Sequence, residues 1–213
     1  SIHSFPTRRS SDLGWKWALY TPEHKPLQIY IAKMCELFLG KRMRKGTYFS
    51  DSEMDSLRDF VDEHFIFIEP EDSNKLGSII DKAKELVVRK GIRGLLIDPW
   101  NKIEHDMDRG ESETMYISRK LDEIITFNQD FHVFSIVIAH PTKIRKNLKS
   151  NLFEVPNLYD MAGSSNWFNK PDWGITVYRN YQTGNTEIYI QKCKYEHLGS
   201  QGMVRSEEHT SEL

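Results

Sequence analysis

Residues 94–101, with the sequence Gly-Leu-Leu-Ile-Asp-Pro-Trp-Asn, decide the fold of this chain. The apolar residues 95–97 follow one another without a polar interruption, which is typical of a strand buried on both faces of a parallel sheet. The strand stops at a carboxylate, Asp98, because the following Pro99 lacks a backbone donor and cannot continue the ladder. Open α/β sheets bind their ligands beyond the carboxyl ends of their strands. The stretch therefore predicts a ligand site at Asp98.

An acid at this position matches the Walker B pattern of nucleotide hydrolases, in which the carboxylate holds magnesium beside the phosphates, directly or through water. The pattern alone also fits an acid that only bonds a neighbouring turn. Two further strand ends favour the nucleotide interpretation, because Glu23 follows the predicted strand at residues 15–20 and His140 follows the predicted strand at residues 133–139. Parallel strands that end at one edge would bring these three polar residues to one rim, as a phosphate-hydrolysing site requires.

Strand and helix patterns alternate along the chain, which predicts an α/β fold with a mostly parallel central sheet and helices on both faces. A β-hairpin formed by residues 173–178 and 186–191 is predicted at the edge of this sheet, with turn chemistry supplied by Thr183, Gly184 and Asn185. The lysine-rich residues 142–157 lack periodicity and form a loop that is functional or disordered. The predicted strands are residues 15–20, 65–69, 93–98 and 133–139, and the predicted helices are residues 27–39, 50–64, 73–90 and 112–129.

Local signals set the ends of these elements. Ser50-Asp-Ser-Glu53 predicts a capping box, Gly40 and Gly91 are predicted to end their helices, and residues 101–110 and Gly202 are predicted to lie in loops. Apolar residues at helical spacing predict the buried stripes, which include Leu37 in the first helix, Leu76, Ile79, Ile80, Ala83, Leu86 and Val87 in the third, and Met115 and Ile124 in the fourth.

Composition excludes several classes of protein. The formal net charge is −2, so any nucleic-acid-binding surface must be local. The two cysteines, Cys35 and Cys193, have neither metal nor redox spacing, which is typical of structural thiols in a reducing compartment. No apolar run reaches the length of a membrane span and no signal peptide is visible. We therefore expect a soluble, cytoplasmic domain that does not bind a membrane.

Both ends of the chain look foreign to it. Residues 3–13 and 205–213 resemble translated adapters from short-read sequencing libraries, and the alternative is an Arg/Ser-rich disordered tail. We expect residues 1–13 and 205–213 to be artefacts of this kind. Residues 14–204 are then one domain, a fragment cut from a longer reading frame.

The motifs stand in a recognisable order: Tyr20-Thr-Pro-Glu23, Leu95-Leu-Ile-Asp98, Val137-Ile-Ala-His-Pro-Thr-Lys143, residues 162–172 and Lys192-Cys-Lys194. In this order they resemble the RecA-like motor domain of DnaB-like replicative helicases, the group that includes Twinkle and phage primase–helicases. The resemblance covers most of residues 14–202. It implies a three-layer RecA-like fold and an ATP-dependent DNA helicase that forms a ring, expected to be a hexamer. ATP and Mg²⁺ are the implied cofactors, single-stranded DNA is the implied partner, and a primase domain in the same parent chain and a phage source are consistent with it.

The resemblance also implies roles for single residues. Glu23 would orient the attacking water, Asp98 would hold Mg²⁺, and His140 would sense the γ-phosphate. Lys192 and Lys194 would reach the nucleotide of the next subunit. The family usually has arginine at the position of Lys194, and lysine lacks the planar fork of a guanidinium, so the group that acts in trans stays open among Lys194, Lys192 and a residue elsewhere.

Single-stranded DNA in a ring is held mainly through its phosphates. The predicted DNA-binding residues are Lys143, Arg145, Lys146, Lys149, Asn166, Asn169 and Lys170. Plain structural roles remain open beside the functional ones. The basic loop fits a solvated surface, Glu23 fits an acid at a helix entry, and His140 fits a core histidine.

The sequence contains no G-x-x-x-x-G-K-[ST] phosphate-binding loop. In the family this loop precedes the strand at residues 15–20, so we expect that the loop and the first strand of the sheet were lost by truncation. The fragment alone would then bind ATP poorly. Two alternatives are a RecA-type recombinase or other RecA-fold ATPase, and a non-catalytic DNA-binding module.

Overall fold

The computed structural model describes residues 13–41, 48–70, 73–142, 153–161 and 164–206. The chain divides into two compact units. The first unit contains the described residues up to Asp106 together with residues 124–139. The second unit contains residues 107–123 and the described residues from His140 onward.

A four-stranded parallel sheet forms the centre of the first unit. Its strands, in the spatial order β2-β1-β3-β4, are β1 (Trp17–Tyr20), β2 (Phe65–Phe67), β3 (Gly94–Ile97) and β4 (Phe134–Val137). The four predicted strands are confirmed, each with ends that lie inside the predicted range. Every residue of β1 and β3 is buried. Since successive side chains of a strand point to opposite faces, both faces of the sheet are covered.

Helices flank this sheet, and the four predicted ones are confirmed. They are α1 (Leu27–Leu39), α2 (Asp51–His64), α3 (Leu76–Lys90) and α4 (Glu113–Phe131). The predicted capping box begins α2, because the Ser50 hydroxyl accepts a hydrogen bond from the backbone N–H of Glu53 and the Glu53 carboxylate accepts one from the N–H of Ser50. Gly40 and Gly91 end α1 and α3 in the left-handed conformation that glycine permits.

The core of the first unit forms where α1 packs on one face of the sheet. Tyr30 and Met34 of α1 contact Trp17, Leu19 and Leu96 of the strands. On α3 the predicted apolar stripe is confirmed, and its buried members are Leu76, Ile79, Ile80, Ala83 and Leu86.

Two residues assigned to apolar helix stripes are exposed. Leu37 of α1 is 57% exposed and Met115 of α4 is 62% exposed. Met115 lies nine residues from the buried Ile124, half a turn away around the helix, so the two cannot face the same side. The fully buried Tyr116 takes the place predicted for Met115. Because its phenol is amphipathic, the periodicity of apolar residues did not assign Tyr116 to the buried face of the helix.

The second unit contains an antiparallel sheet of three strands in the order β5-β6-β7, which are β5 (Trp173–Arg179), β6 (Thr186–Cys193) and β7 (Gly202–Ser206). The predicted hairpin of β5 and β6 is confirmed, and Gly184 in its turn has a φ of +71°. A four-residue helix, α5 (Asn166–Asn169), precedes it.

This sheet differs from the prediction in two ways. Among the described residues the hairpin pairs with β7 and not with the edge of the parallel sheet. The prediction that Gly202 lies in a loop is wrong, because Gly202 begins β7. This strand runs two residues into the adapter-like segment, where Arg205 and Ser206 pair with β6. Ladder hydrogen bonds join backbone groups, so a strand can form where side chains give no signal.

Gly94 permits close packing at the start of β3. A Cβ atom at this position would lie 2.3 Å from the indole of Trp17, its partner on β1. We expect Gly94→Ala to lower the free energy of unfolding by about 1–3 kcal/mol, because the clash displaces a buried ring. Urea unfolding measures the change. Gly202→Ala is the matched control, since a Cβ there meets nothing within 4 Å. Equal effects of the two substitutions would contradict this packing.

Candidate active site

Asp98 lies immediately after β3, at the edge of the sheet where the parallel strands end. Its backbone N–H donates a 2.9 Å hydrogen bond to the carbonyl of Tyr20, the last residue of β1. The residue is only 2% exposed. A carboxylate this deeply buried must be compensated by polar contacts or by a cation. The predicted position of Asp98 at a strand end is confirmed.

His24 contacts Asp98 from the neighbouring turn. Its Nε2 lies 3.5 Å from Oδ2 of Asp98, and its ring stacks on the ring of Tyr30 with 4.6 Å between the centroids. Burial, and then the negative charge of Asp98, raise the pKa of the Tyr30 phenol well above its ordinary value. Tyr30 therefore stays neutral and offers the imidazole a fixed apolar surface. His24 was not among the predicted site residues, and its only signal in the sequence is its place beside Glu23.

Glu23 lies three residues after β1, in a turn closed by a hydrogen bond from the N–H of His24 to the carbonyl of Thr21. Its side chain is 38% exposed, and its Oε1 lies 3.5 Å from Nζ of Lys102. Lys102 belongs to the short 3₁₀ helix Trp100–Lys102 that follows Asp98. Lys102 was also not predicted as a site residue, because it lies in residues 101–110, which were predicted to be a polar loop.

The structure thus brings together two of the predicted site residues. Glu23 and Asp98 lie on turns that follow the adjacent parallel strands β1 and β3. Each acid contacts a basic residue of the other turn, Glu23 with Lys102 and Asp98 with His24. His140 is exposed and belongs to the second unit. Its predicted place on the rim beside Asp98 stays a prediction.

The donor set around Asp98 fits one type of metal binding. The described residues contain no group of three or more His, Cys, Asp or Glu side chains that could hold a metal ion by themselves. Mg²⁺ commonly binds through one or two carboxylates, several waters and the phosphates of a nucleotide. A single buried carboxylate is compatible with Mg²⁺ bound in that way.

Lys192 and Lys194 differ in their surroundings. Nζ of Lys192 donates to the carbonyls of Phe168 and Asn169, at 2.6 and 2.9 Å, and so satisfies carbonyls at the end of α5. Burial lowers the pKa of Lys192. Lys194 is exposed, and its Nζ lies 2.7 Å from Oδ1 of Asp172, which raises the pKa of Lys194. Lys192 is therefore held by backbone carbonyls, whereas Lys194 has an exposed ion pair.

The predicted DNA-binding residues fall into two groups, one outside the described residues and one on or just after α5. Lys143, Arg145, Lys146 and Lys149 lie outside the described residues. On α5 and just after it, the Asn166 amide donates to the carbonyl of Thr114 and Lys170 forms an ion pair with Asp122, so both contact α4. Asn169 is exposed. Of the three described residues, Asn169 is therefore the most exposed.

Within the described parts of the chain, none of the helices combines the length and apolar character needed to cross a bilayer.

Comparisons with known proteins give a relative and a structural match. The chain is 34% identical over 176 residues to the Twinkle homolog protein, chloroplastic/mitochondrial, of Arabidopsis thaliana. The alignment covers 79% of this chain but 24% of that protein, so the chain spans about a quarter of its relative. No protein-family model matches the sequence.

Among solved structures, the ATPase domain of G40P matches with a TM-score of 0.68 at 15% identity. The match covers 92% of this chain and 72% of that domain. The predicted RecA-like α/β fold is thereby confirmed.

The contacts of the two lysines predict different effects on stability. Lys192→Met removes a charged donor from two carbonyls, so we expect the free energy of unfolding to fall by about 1.5–3 kcal/mol. Lys194→Met removes an exposed ion pair that water screens, so its effect should be clearly the smaller of the two. Urea unfolding of both variants makes the comparison. A larger loss at Lys194 than at Lys192 would contradict this assignment.

Proposed function

Because the chain belongs to the DnaB-like and Twinkle-like family of RecA-fold helicase domains, we propose that it is the motor core of an ATP-driven replicative DNA helicase. The activity belongs to the longer protein of which the chain is a part, since the chain spans 24% of the Twinkle homologue. The observation that carries the proposal is the pair of acids, Glu23 and Asp98, on the turns after two adjacent parallel strands. Nucleotide hydrolysis needs one acid that holds the metal and one that orients the attacking water, both at this edge.

Asp98 and Glu23 divide the chemistry between them. Asp98 would hold Mg²⁺ through its carboxylate, directly or through water, and the ion would supply positive charge beside the phosphates of ATP. Glu23 accepts a hydrogen bond from the attacking water and orients it in line with the γ-phosphate. Its partial exposure supports this role, because the water must reach its carboxylate. Phosphoryl transfer depends chiefly on such positioning and charge neutralisation.

The remaining roles concern the γ-phosphate and the neighbouring subunit. His140 donates a hydrogen bond to a γ-phosphate oxygen and so responds to its loss. Lys194 leaves Asp172 and supplies positive charge to the nucleotide of the next subunit in a ring of six. The 2.7 Å pair with Asp172 supports a held but releasable lysine, since an exposed ion pair costs little to break.

Single-stranded DNA is the substrate along which the ring moves. The basic residues Lys143, Arg145, Lys146 and Lys149 contact its phosphates, together with Asn166, Asn169 and Lys170. Binding of this kind weakens steeply with salt, because the phosphates release counterions when they are neutralised. A primase domain in the same parent chain would couple priming to unwinding.

The test uses the full-length protein, with the sequence that lies upstream of this chain in its gene. We expect ATP hydrolysis that single-stranded DNA stimulates, and unwinding of forked DNA. Asp98→Asn should lower the hydrolysis rate about 10- to 100-fold, because the amide is a poorer partner for the metal or its waters. The matched control is Asp81→Asn, which removes an exposed acid paired with Lys84 on α3.

Two outcomes would contradict the proposal. Full-length protein that binds DNA equally well with and without nucleotide, and hydrolyses no ATP, would point to the non-catalytic binding module. Hydrolysis that survives Asp98→Asn at the rate of the Asp81→Asn control would exclude Asp98 from the metal site.

A further inference from the structure

The turn after β1 and the turn after β3 exchange contacts in both directions. His24, from the first turn, reaches the carboxylate of Asp98 on the second at 3.5 Å. Lys102, from the second turn, reaches the carboxylate of Glu23 on the first, also at 3.5 Å. Each acid of the candidate site therefore has a basic partner that the other strand supplies. Such an exchange joins the side chains of the two turns.

The position of Lys102 is set by the backbone of the turn that follows Asp98. The 3₁₀ helix that carries Lys102 begins two residues after Asp98, and the N–H of Lys102 donates to the carbonyl of Pro99 at 3.3 Å. The N–H of Trp100 donates to the carbonyl of Ile138, just beyond β4, at 2.7 Å. The backbone that presents the Lys102 ammonium is thus anchored to the sheet on the side of Asp98.

The exposure of this ion pair argues against a purely structural role. The side chains of Lys102 and Glu23 are 51% and 38% exposed. An ion pair as exposed as this adds little to stability, because water screens both charges. The pair with His24 differs, since Asp98 is buried there. What the Lys102 pair does supply is orientation, because Nζ contacts one oxygen of the Glu23 carboxylate and leaves the other for a further partner.

We propose that Lys102 is a positioning residue of the hydrolytic site, a role that rests on the proposed function. Its ammonium holds Oε1 of Glu23, so that Oε2 faces the position of the attacking water. Small displacements of a group that orients a reactant reduce rates steeply, while they leave binding of the nucleotide phosphates unchanged. Lys102 thereby links the geometry of the metal-holding turn to the geometry of the water-orienting turn.

The test compares three variants of the full-length protein. Lys102→Met should lower kcat for DNA-stimulated ATP hydrolysis about three- to tenfold, with the KM for ATP changed less than about twofold. Lys102→Arg keeps the positive charge and should restore most of kcat. Lys84→Met removes a lysine from a comparable exposed ion pair on α3 and should leave kcat unchanged. The urea midpoint of the 213-residue chain and the affinity for single-stranded DNA should be the same for Lys102→Met as for the wild type.

The outcomes separate this inference from the function on which it rests. If the wild type hydrolyses ATP and Asp98→Asn does not, but Lys102→Met keeps the wild-type kcat, Lys102 does not position Glu23. A higher KM at constant kcat would overturn the inference as well, because Lys102 would then bind nucleotide. A lowered urea midpoint that accounts for the lost rate, with no rescue by Lys102→Arg, would assign Lys102 to stability. A wild type without ATPase activity overturns the proposed function and the inference together.

Discussion

The hydrogen bond from the N–H of Asp98 to the carbonyl of Tyr20 is the interaction on which the candidate site depends. It extends the pairing of β1 with β3 one residue beyond the end of β3. Beyond this hydrogen bond the backbone leaves the sheet after each strand, toward Glu23 after β1 and toward Lys102 after β3. Because the two turns start from a shared hydrogen bond, the relative position of the two acids follows from strand register and not from the loops themselves.

Register is fixed at the other end of the same two strands. Trp17 lies opposite Gly94, and the missing Cβ leaves room for the indole. Both faces of β1 and β3 are buried, so a slip by one residue would exchange the side chains between two packed faces. A slip would also turn Asp98 away from His24. The packing of an apolar strand thus determines where a buried charge sits, which is how the core of this domain contributes to its chemistry.

The sequence predicted what local patterns encode. The apolar run before Asp98, the Ser50 capping box and the helix-ending glycines are contiguous signals, and the corresponding elements are confirmed. Contacts between separate turns leave no contiguous signal, so His24 and Lys102 could be found only once register was known. Strand β7 was missed for a related reason, because Gly202 resembles a loop residue and ladder bonds do not depend on side chains. Met115 was wrongly assigned to the buried stripe of α4. The periodicity of apolar residues does not distinguish it from the neighbouring Tyr116, which is amphipathic and occupies the buried position.

A structure of the full-length protein with Mg²⁺ and a non-hydrolysable ATP analogue would show directly whether the edge formed by β1 and β3 holds the nucleotide. We expect the metal or one of its waters to lie within hydrogen-bond distance of the Asp98 carboxylate. We also expect Glu23, still in contact with Lys102, to face the γ-phosphate across a single water. Phosphates bound at another edge of the sheet, with Asp98 paired only to protein groups, would contradict this placement of the nucleotide.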